Sequence, residues 1–203
     1  MVEDRRAAIA DAGIALVARD GIRALTHRAI DRDLGLAAGS TSYYLRTRRS
    51  LIEALVHRLV ERTVQDVEAP LPNTVDEAAA LLGAMTAHLI TDRAVDNRAR
   101  FALAVELSGD PELHAFVTSR SPIRAALLAQ AEALLAGIGV PDAGRRAPDL
   151  IALADGLVHD RLVGSRSDMA ERPDELRRAL TAVFTDYLRG ARAGSLLATP
   201  SRK

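Results

Sequence analysis

Cysteine is absent from this chain of 203 residues, which excludes disulfides, thiolate metal sites and cysteine nucleophiles. Aromatic residues make up only 3%, and strand-favouring runs are nearly missing. No run approaches the roughly 18 uncharged apolar residues that a membrane-crossing helix needs. The charged start Met1-Val2-Glu3-Asp4-Arg5-Arg6 lacks the apolar core of a secretory signal, so the expected location is cytoplasmic. Lysine is all but absent too, Lys203 being the single one, and the formal net charge is zero. A zero balance gives no general attraction to nucleic acid, but it hides an asymmetry. Residues 1–67 carry 11 Arg against 9 acids, and between Arg19 and Arg49 there are 7 Arg against 3 Asp. Arginine brings planar, two-pronged donors suited to phosphate.

What is present is a chain 48% apolar and 27% charged, rich in Ala, Leu, Val and Ile, the composition of an all-α protein. Its length suits one large domain or two smaller ones. The periodicity predicts a first helix from about Glu3 to Arg19 with Ile9, Ala12, Leu16 and Val17 on one face, ended by Asp20-Gly21. Thr26 caps a second helix whose inward face is Ala29, Ile30 and Leu34, and Gly35 supplies the permissive backbone for a sharp corner. A third, very short helix follows. Thr47 caps a fourth from Arg48 to about Val67, broken by Glu68-Ala69-Pro70-Leu71-Pro72-Asn73. Beyond that break, Thr74 and Glu77 form a capping-box pair opening a helix to about Asp92. Further helices are expected over about Asp96–Ser108, from Pro111 after the Asp110 cap, and from Pro122 to about Ala136. The last two, about Arg146–Val163 and Pro173–Ala193, look apolar nearly all round, which suits a subunit interface. The tail from Ser195 to Lys203 is expected to fray.

Two short helices around a tight corner, followed by Arg46, Arg48 and Arg49, form a pattern suited to reading DNA. The third helix offers Ala38, Gly39, Ser40, Ser42, Tyr43 and Tyr44: small residues for close approach to a groove, and hydroxyls for bases or phosphates. The same corner also occurs in ordinary helical bundles. The flanks decide between them. A first helix ending Arg19-Asp20-Gly21, then Leu25-Thr26, Leu34-Gly35-Leu36, the run from Ala38 to Leu45, Thr47-Arg48 and Leu51 together resemble the DNA-binding domain of the TetR family of bacterial transcriptional repressors, over about a quarter of the chain.

That resemblance implies a three-helix DNA-binding domain joined by a long fourth helix to a larger helical domain that binds an effector and dimerises through its last two helices. Here the division is a helix-turn-helix domain over 1–46, a connecting helix over 47–67, and an effector and dimerisation domain over 74–203. Carried across by position, Thr26 caps the second helix and touches phosphate, and Ser40 and Ser42 lie on the recognition helix. Tyr43 and Tyr44 contact backbone or bases, and Arg48 meets a phosphate. Ser42 stands where the family commonly has Tyr, Leu45 where it has Phe, and Arg48 where it has Lys. The shorter Ser42 hands phosphate anchoring to Tyr43. His27 is a further phosphate candidate or a plain first-turn residue.

In the C-terminal part, Met85, His88, Phe101, Val105, Leu128, Asp155 and His159 are the candidate effector contacts, apolar walls with a few polar groups. Asp155 and His159, four apart, share a helix face, a spacing also seen in metal sites, but two residues do not make one. No phosphate loop, nucleophile motif or metal-ligand cluster is present, so neither an enzyme nor a cofactor is expected. The expected partners are inverted-repeat double-stranded DNA, a second copy of the chain and a small-molecule effector, with no membrane. The expected function is a repressor released by that effector. The alternative is a helical adaptor without DNA binding.

Overall fold

Side-chain caps decide where several helices begin. The Thr26 hydroxyl accepts from the Ala29 amide at 3.1 Å, and the Asp110 carboxylate from Leu113 at 3.2 Å. Thr74 and Glu77 close a reciprocal capping box. Thr47 accepts from the Ser50 amide at 3.0 Å while Ser50 takes the Thr47 amide at 3.1 Å. The computed structural model describes residues 2–64, 71–121 and 123–194. The expected end of the fourth helix near Val67, most of the break before Leu71, Pro122 and the tail from Ser195 lie outside the described residues.

The described residues are all α: α1 (Val2–Asp20), α2 (His27–Asp33), α3 (Ser40–Tyr44), α4 (Arg48–Val64), α5 (Val75–Ile90), α6 (Ala94–Glu106), α7 (Pro111–Val117), α8 (Arg124–Gly137), α9 (Ala143–Leu162) and α10 (Pro173–Ala193), with 3-10 turns at Ile22–Ala24 and Leu107–Gly109. α9 starts three residues before the position expected from sequence, which moves Pro148 from the first turn, where amides have no helical partner, to the second, where one helical hydrogen bond is forgone. Among the described residues no helix is long and apolar enough to cross a membrane, and no three His, Asp or Glu side chains gather as metal ligands would.

Two compact units form. The first joins α1 to α4 with α6 and α7; the second joins α5 with α8, α9 and α10. This partition by packing differs from the functional division read from sequence, because α6 and α7 complete the core of the first unit. Ala99, Leu103, Leu107 and Leu113 are buried with Ile9, Ile14, Leu25, Ile30, Leu51 and Leu55. A three-helix head alone would be marginal, and these extra helices supply apolar surface it lacks. Asp11 of α1 pairs with Arg58 and Arg62 of α4, both at 2.8 Å, and Arg62 reaches Asp96 of α6 at 2.7 Å. The two pairs of Asp11 are partly exposed and fix orientation more than they add stability, whereas Asp96 is buried.

In the second unit α10 presents Leu176, Leu180, Phe184, Leu188 and Ala191 to the core at helical spacing. The helix is therefore one-sided: its other faces carry Arg177, Arg178, Arg189 and Arg192, and Val183 and Tyr187 are what remains of the apolar surround read from sequence. α5 and α10 approach closely at Gly83. A β-carbon there would stand 2.3 Å from the Thr181 hydroxyl and 2.9 Å from its backbone nitrogen. Gly83→Ala is accordingly expected to destabilise the second unit by about 1–3 kcal/mol, despite the better helix propensity of alanine, as a lowered urea midpoint.

Candidate nucleic-acid interface

α2 ends where the Leu34 amide closes on Ile30 and the backbone of Gly35 swings to φ 62°, a left-handed conformation that glycine adopts at little cost. The Leu36 amide then returns to the Asp31 carbonyl at 2.7 Å, fixing the corner. Gly39, at φ 90°, is the residue before α3 and brings no side chain to cap it. With five residues, α3 is far shorter than a helix that holds itself in water. Its geometry is imposed from outside.

The N-terminal end is held by Asp31, a carboxylate only 3% exposed. One oxygen accepts from the Gly39 amide at 2.8 Å; the other accepts from the Thr41 amide at 2.8 Å and the Thr41 hydroxyl at 2.7 Å. Burial pushes this carboxyl up, and the bonds from Thr41 and Gly39 outweigh it, leaving it below the usual carboxylate range. Such a group contributes stability that is present above its unfolded value, about 3.9, and is lost as pH falls through the folded one. The first unit is therefore expected to lose stability below about pH 4, and Asp31→Asn to flatten that acid limb in urea titrations.

At the other end of α3 the Leu45 carbonyl meets His27 Nε2 at 2.6 Å, and the Tyr44 carbonyl accepts from Arg6 at 3.4 Å. Facing a carbonyl, Nε2 is the nitrogen that carries the proton. The bond makes His27 a brace. Arg48 is similarly engaged: its guanidinium donates to the Leu25 carbonyl at 2.7 Å and the Ile22 carbonyl at 3.0 Å, tying the start of α4 to the turn before α2. Arg49 is held among Glu53 at 3.0 Å, Asp110 at 2.5 Å and Glu112 at 2.8 Å. Arg28 and Arg46 are exposed and have no side-chain partner among the described residues.

The outward surface of α3 is correspondingly clear. Ser40 donates its hydroxyl to the Ala37 carbonyl at 2.6 Å, so toward a ligand it can only accept. Ser42 is half-buried, Ala38 and Gly39 are exposed, and Tyr43 is 77% exposed, the most solvent-facing large side chain of the chain's described apolar and aromatic set. The Tyr44 ring packs on the first core and meets the Tyr43 ring edge-on, with centroids 5.1 Å apart and planes at 87°. Tyr44 thus steadies Tyr43. Thr26 is exposed, its hydroxyl already serving the cap. Sequence reasoning named the outward residues and passed over Asp31 and Thr41. The available signal was the glycine before a five-residue helix, which leaves the helix amides to find an acceptor elsewhere.

The seven effector candidates divide between the two units. Phe101, with the Arg100 guanidinium 4.5 Å over its ring, and Val105, 76% exposed, belong to the first unit. Met85, His88, Leu128, Asp155 and His159 belong to the second, all half-buried except the exposed His159. None of the seven lines either of two open concavities. One, about 370 Å³, lies between α4 and α7 around His57 and Phe116; the other, about 560 Å³, lies beside Asp76 and Arg189.

Comparisons with known proteins agree with this architecture. A family profile described as "Tetracyclin repressor-like, C-terminal domain" matches residues 73–190. Among solved structures, a transcriptional regulator from Rhodococcus sp. Rha1 is 24% identical, with a TM-score of 0.73 over 92% of this chain and 97% of that one. GusR of Salmonella enterica is 19% identical, with a TM-score of 0.66 over 92% and 96%. A TetR-like transcriptional regulator from Rhodococcus sp. RHA1 is 18% identical, with a TM-score of 0.63 over 90% and 94%. At these identities the likeness speaks of fold. Comparison with curated proteins gives no match.

Proposed function

The chain belongs to the tetracyclin repressor-like (TetR) family of transcriptional regulators, and from that premise we propose that it is a cytoplasmic homodimeric repressor that occupies an inverted-repeat operator and leaves it when a small molecule binds. The observation that carries the reading is the surface of α3: a helix braced from behind that turns Ser42 and the 77% exposed Tyr43 to solvent. A phenol held out on a rigid helix makes little sense for stability and good sense for a groove wall, where its hydroxyl reaches phosphate or a base edge. Ser40 accepts, while Ala38 and Gly39 permit close approach. Arg28 and Arg46, unpaired among the described residues, take the phosphate contacts that Arg48, already bound to two carbonyls, is less free to make. Thr26 and His27 secure the head rather than read.

Dimerisation runs through α9 and the outward face of α10, where Ala179, Ala182, Val183 and Gly190 leave room for a second helix to approach. Two heads must then sit about 34–36 Å apart, or a multiple of that, to enter successive major grooves. The effector meets the second unit through Met85, His88, Leu128, Asp155 and His159. A ligand preferring a conformation with another spacing lowers the operator-bound population, and the two bindings oppose each other reciprocally. Nothing in this scheme requires catalysis or a cofactor.

Selection from a randomised duplex library tests the reading. The expected product is an inverted repeat with half-sites one helical turn or a multiple apart, bound by a protein that sediments as a dimer. Failure to enrich any sequence at low salt would contradict it and leave a helical adaptor.

A further inference from the structure

α2 and α3 face each other with complementary ends. Asp31, in the last turn of α2, accepts from the Gly39 and Thr41 amides and the Thr41 hydroxyl at the N-terminal end of α3. His27, four residues earlier, meets the Leu45 carbonyl at its C-terminal end. Four residues of α2 rise about 6 Å, and the five residues of α3 span about 7.5 Å, so the two side chains reach opposite ends of the short helix. The signs also match. A carboxylate stands at the positive end of the helix dipole, and ring and guanidinium N–H donors, from His27 and Arg6, stand at the negative end.

We propose that Asp31 and His27 form a two-point clamp that sets the orientation of the DNA-reading helix, with Asp31 and its partner Thr41 as positioning residues for sequence recognition rather than contacts to DNA. Three observations distinguish this from ordinary core satisfaction. α3 has no side-chain cap of its own, because Gly39 stands where one would be. Every polar atom of the pair is turned inward: Asp31 is 3% exposed and Thr41 fully buried, so neither can touch DNA. The residues in between, Ser40 and Ser42, are the ones turned outward to partly exposed positions, and they lie in the same turn of α3 as the clamped amides. A rotation of α3 by one residue's angular step would redirect Ser42 and Tyr43 together, and discrimination among sequences is sensitive to displacements of that kind because each base contact is directional. Phosphate attraction from exposed arginines tolerates such a change. The clamp therefore governs specificity more than total affinity.

This inference rests on the DNA-reading function proposed above, and its test separates the two. The probes are the duplex enriched by the wild-type chain and a random-sequence duplex of equal length, read by fluorescence anisotropy. Amide hydrogen exchange at Gly39 and Thr41 is measured in the free protein. Asp31→Asn is expected to raise exchange at both amides at least about tenfold and to lower affinity for the enriched duplex about tenfold or more, with random-duplex binding within about twofold of wild type. Thr41→Val, which keeps the shape and removes the hydroxyl, is expected to move the same readouts by a smaller factor. Thr41→Ser is expected to restore them, and it keeps the proposal falsifiable if Asp31→Asn fails to fold. Unchanged exchange at Gly39 and Thr41, or equal losses on both duplexes, would overturn the clamp. If the wild-type chain enriches no duplex, the DNA-reading function fails, and the exchange measurement still decides whether the clamp exists.

Discussion

Tyr43→Ala is expected to weaken operator binding by about 10- to 100-fold while leaving the fold and the dimer unchanged. Tyr43 is 77% exposed, so truncation removes little buried surface and opens no cavity in the core. What it removes is a phenol held edge-on against Tyr44, 5.1 Å away, at the outermost point of α3. A directional contact to a base edge is worth about 1–3 kcal/mol, and loss of a phosphate contact alone is smaller and uniform across sequences. The two cases separate experimentally. If Tyr43 bonds a phosphate, affinity falls equally on enriched and random duplexes; if it reads a base, the enriched duplex suffers more. Tyr44→Ala, by contrast, removes a ring packed on the first core, and its loss of binding is expected to come with a lower melting temperature.

The second large effect concerns stability. Phe184→Ala is expected to cost about 3–5 kcal/mol, because the side chain is fully buried and one of the largest in the second core. Domains of about this size have stabilities of only about 5–15 kcal/mol, so the variant keeps a fraction of it. A fall of more than about 10 °C in the melting temperature is the expected reading. A change of less than about 2 °C would mean that the interior around α5 and α10 can close over the missing ring.

Much of the helical order was legible in the sequence because caps and periodicity are local. Thr26, Thr74 with Glu77 and Asp110 all cap the helices their positions announced. α10 begins at Pro173 and ends at Ala193, as read from its apolar spacing. What was not legible depends on distance along the chain. α6 and α7 complete the core of the N-terminal helices, from which they are far in sequence, and no local pattern records which core an amphipathic helix will join. The interface showed the same divide. The outward residues of α3 could be named from their chemistry, since small, hydroxylated and aromatic side chains in one short run have few uses in a core. The inward ones could not. Asp31 reads as a surface acid in a helix of charged residues, and only the fold brings it within 2.8 Å of two amides eight and ten residues away. Arg48 resembles a phosphate ligand by position, yet it is bound to two carbonyls more than twenty residues before it.

The central claim, that α3 and its flanks read duplex DNA, is tested most directly by anisotropy titrations of the full chain on its enriched duplex across a salt series. Submicromolar affinity that falls steeply and linearly in log–log form with salt, and that exceeds random-duplex affinity by about a thousandfold or more, is the result expected of an arginine-flanked reading helix. Binding that is equally weak on both duplexes and indifferent to salt would contradict it.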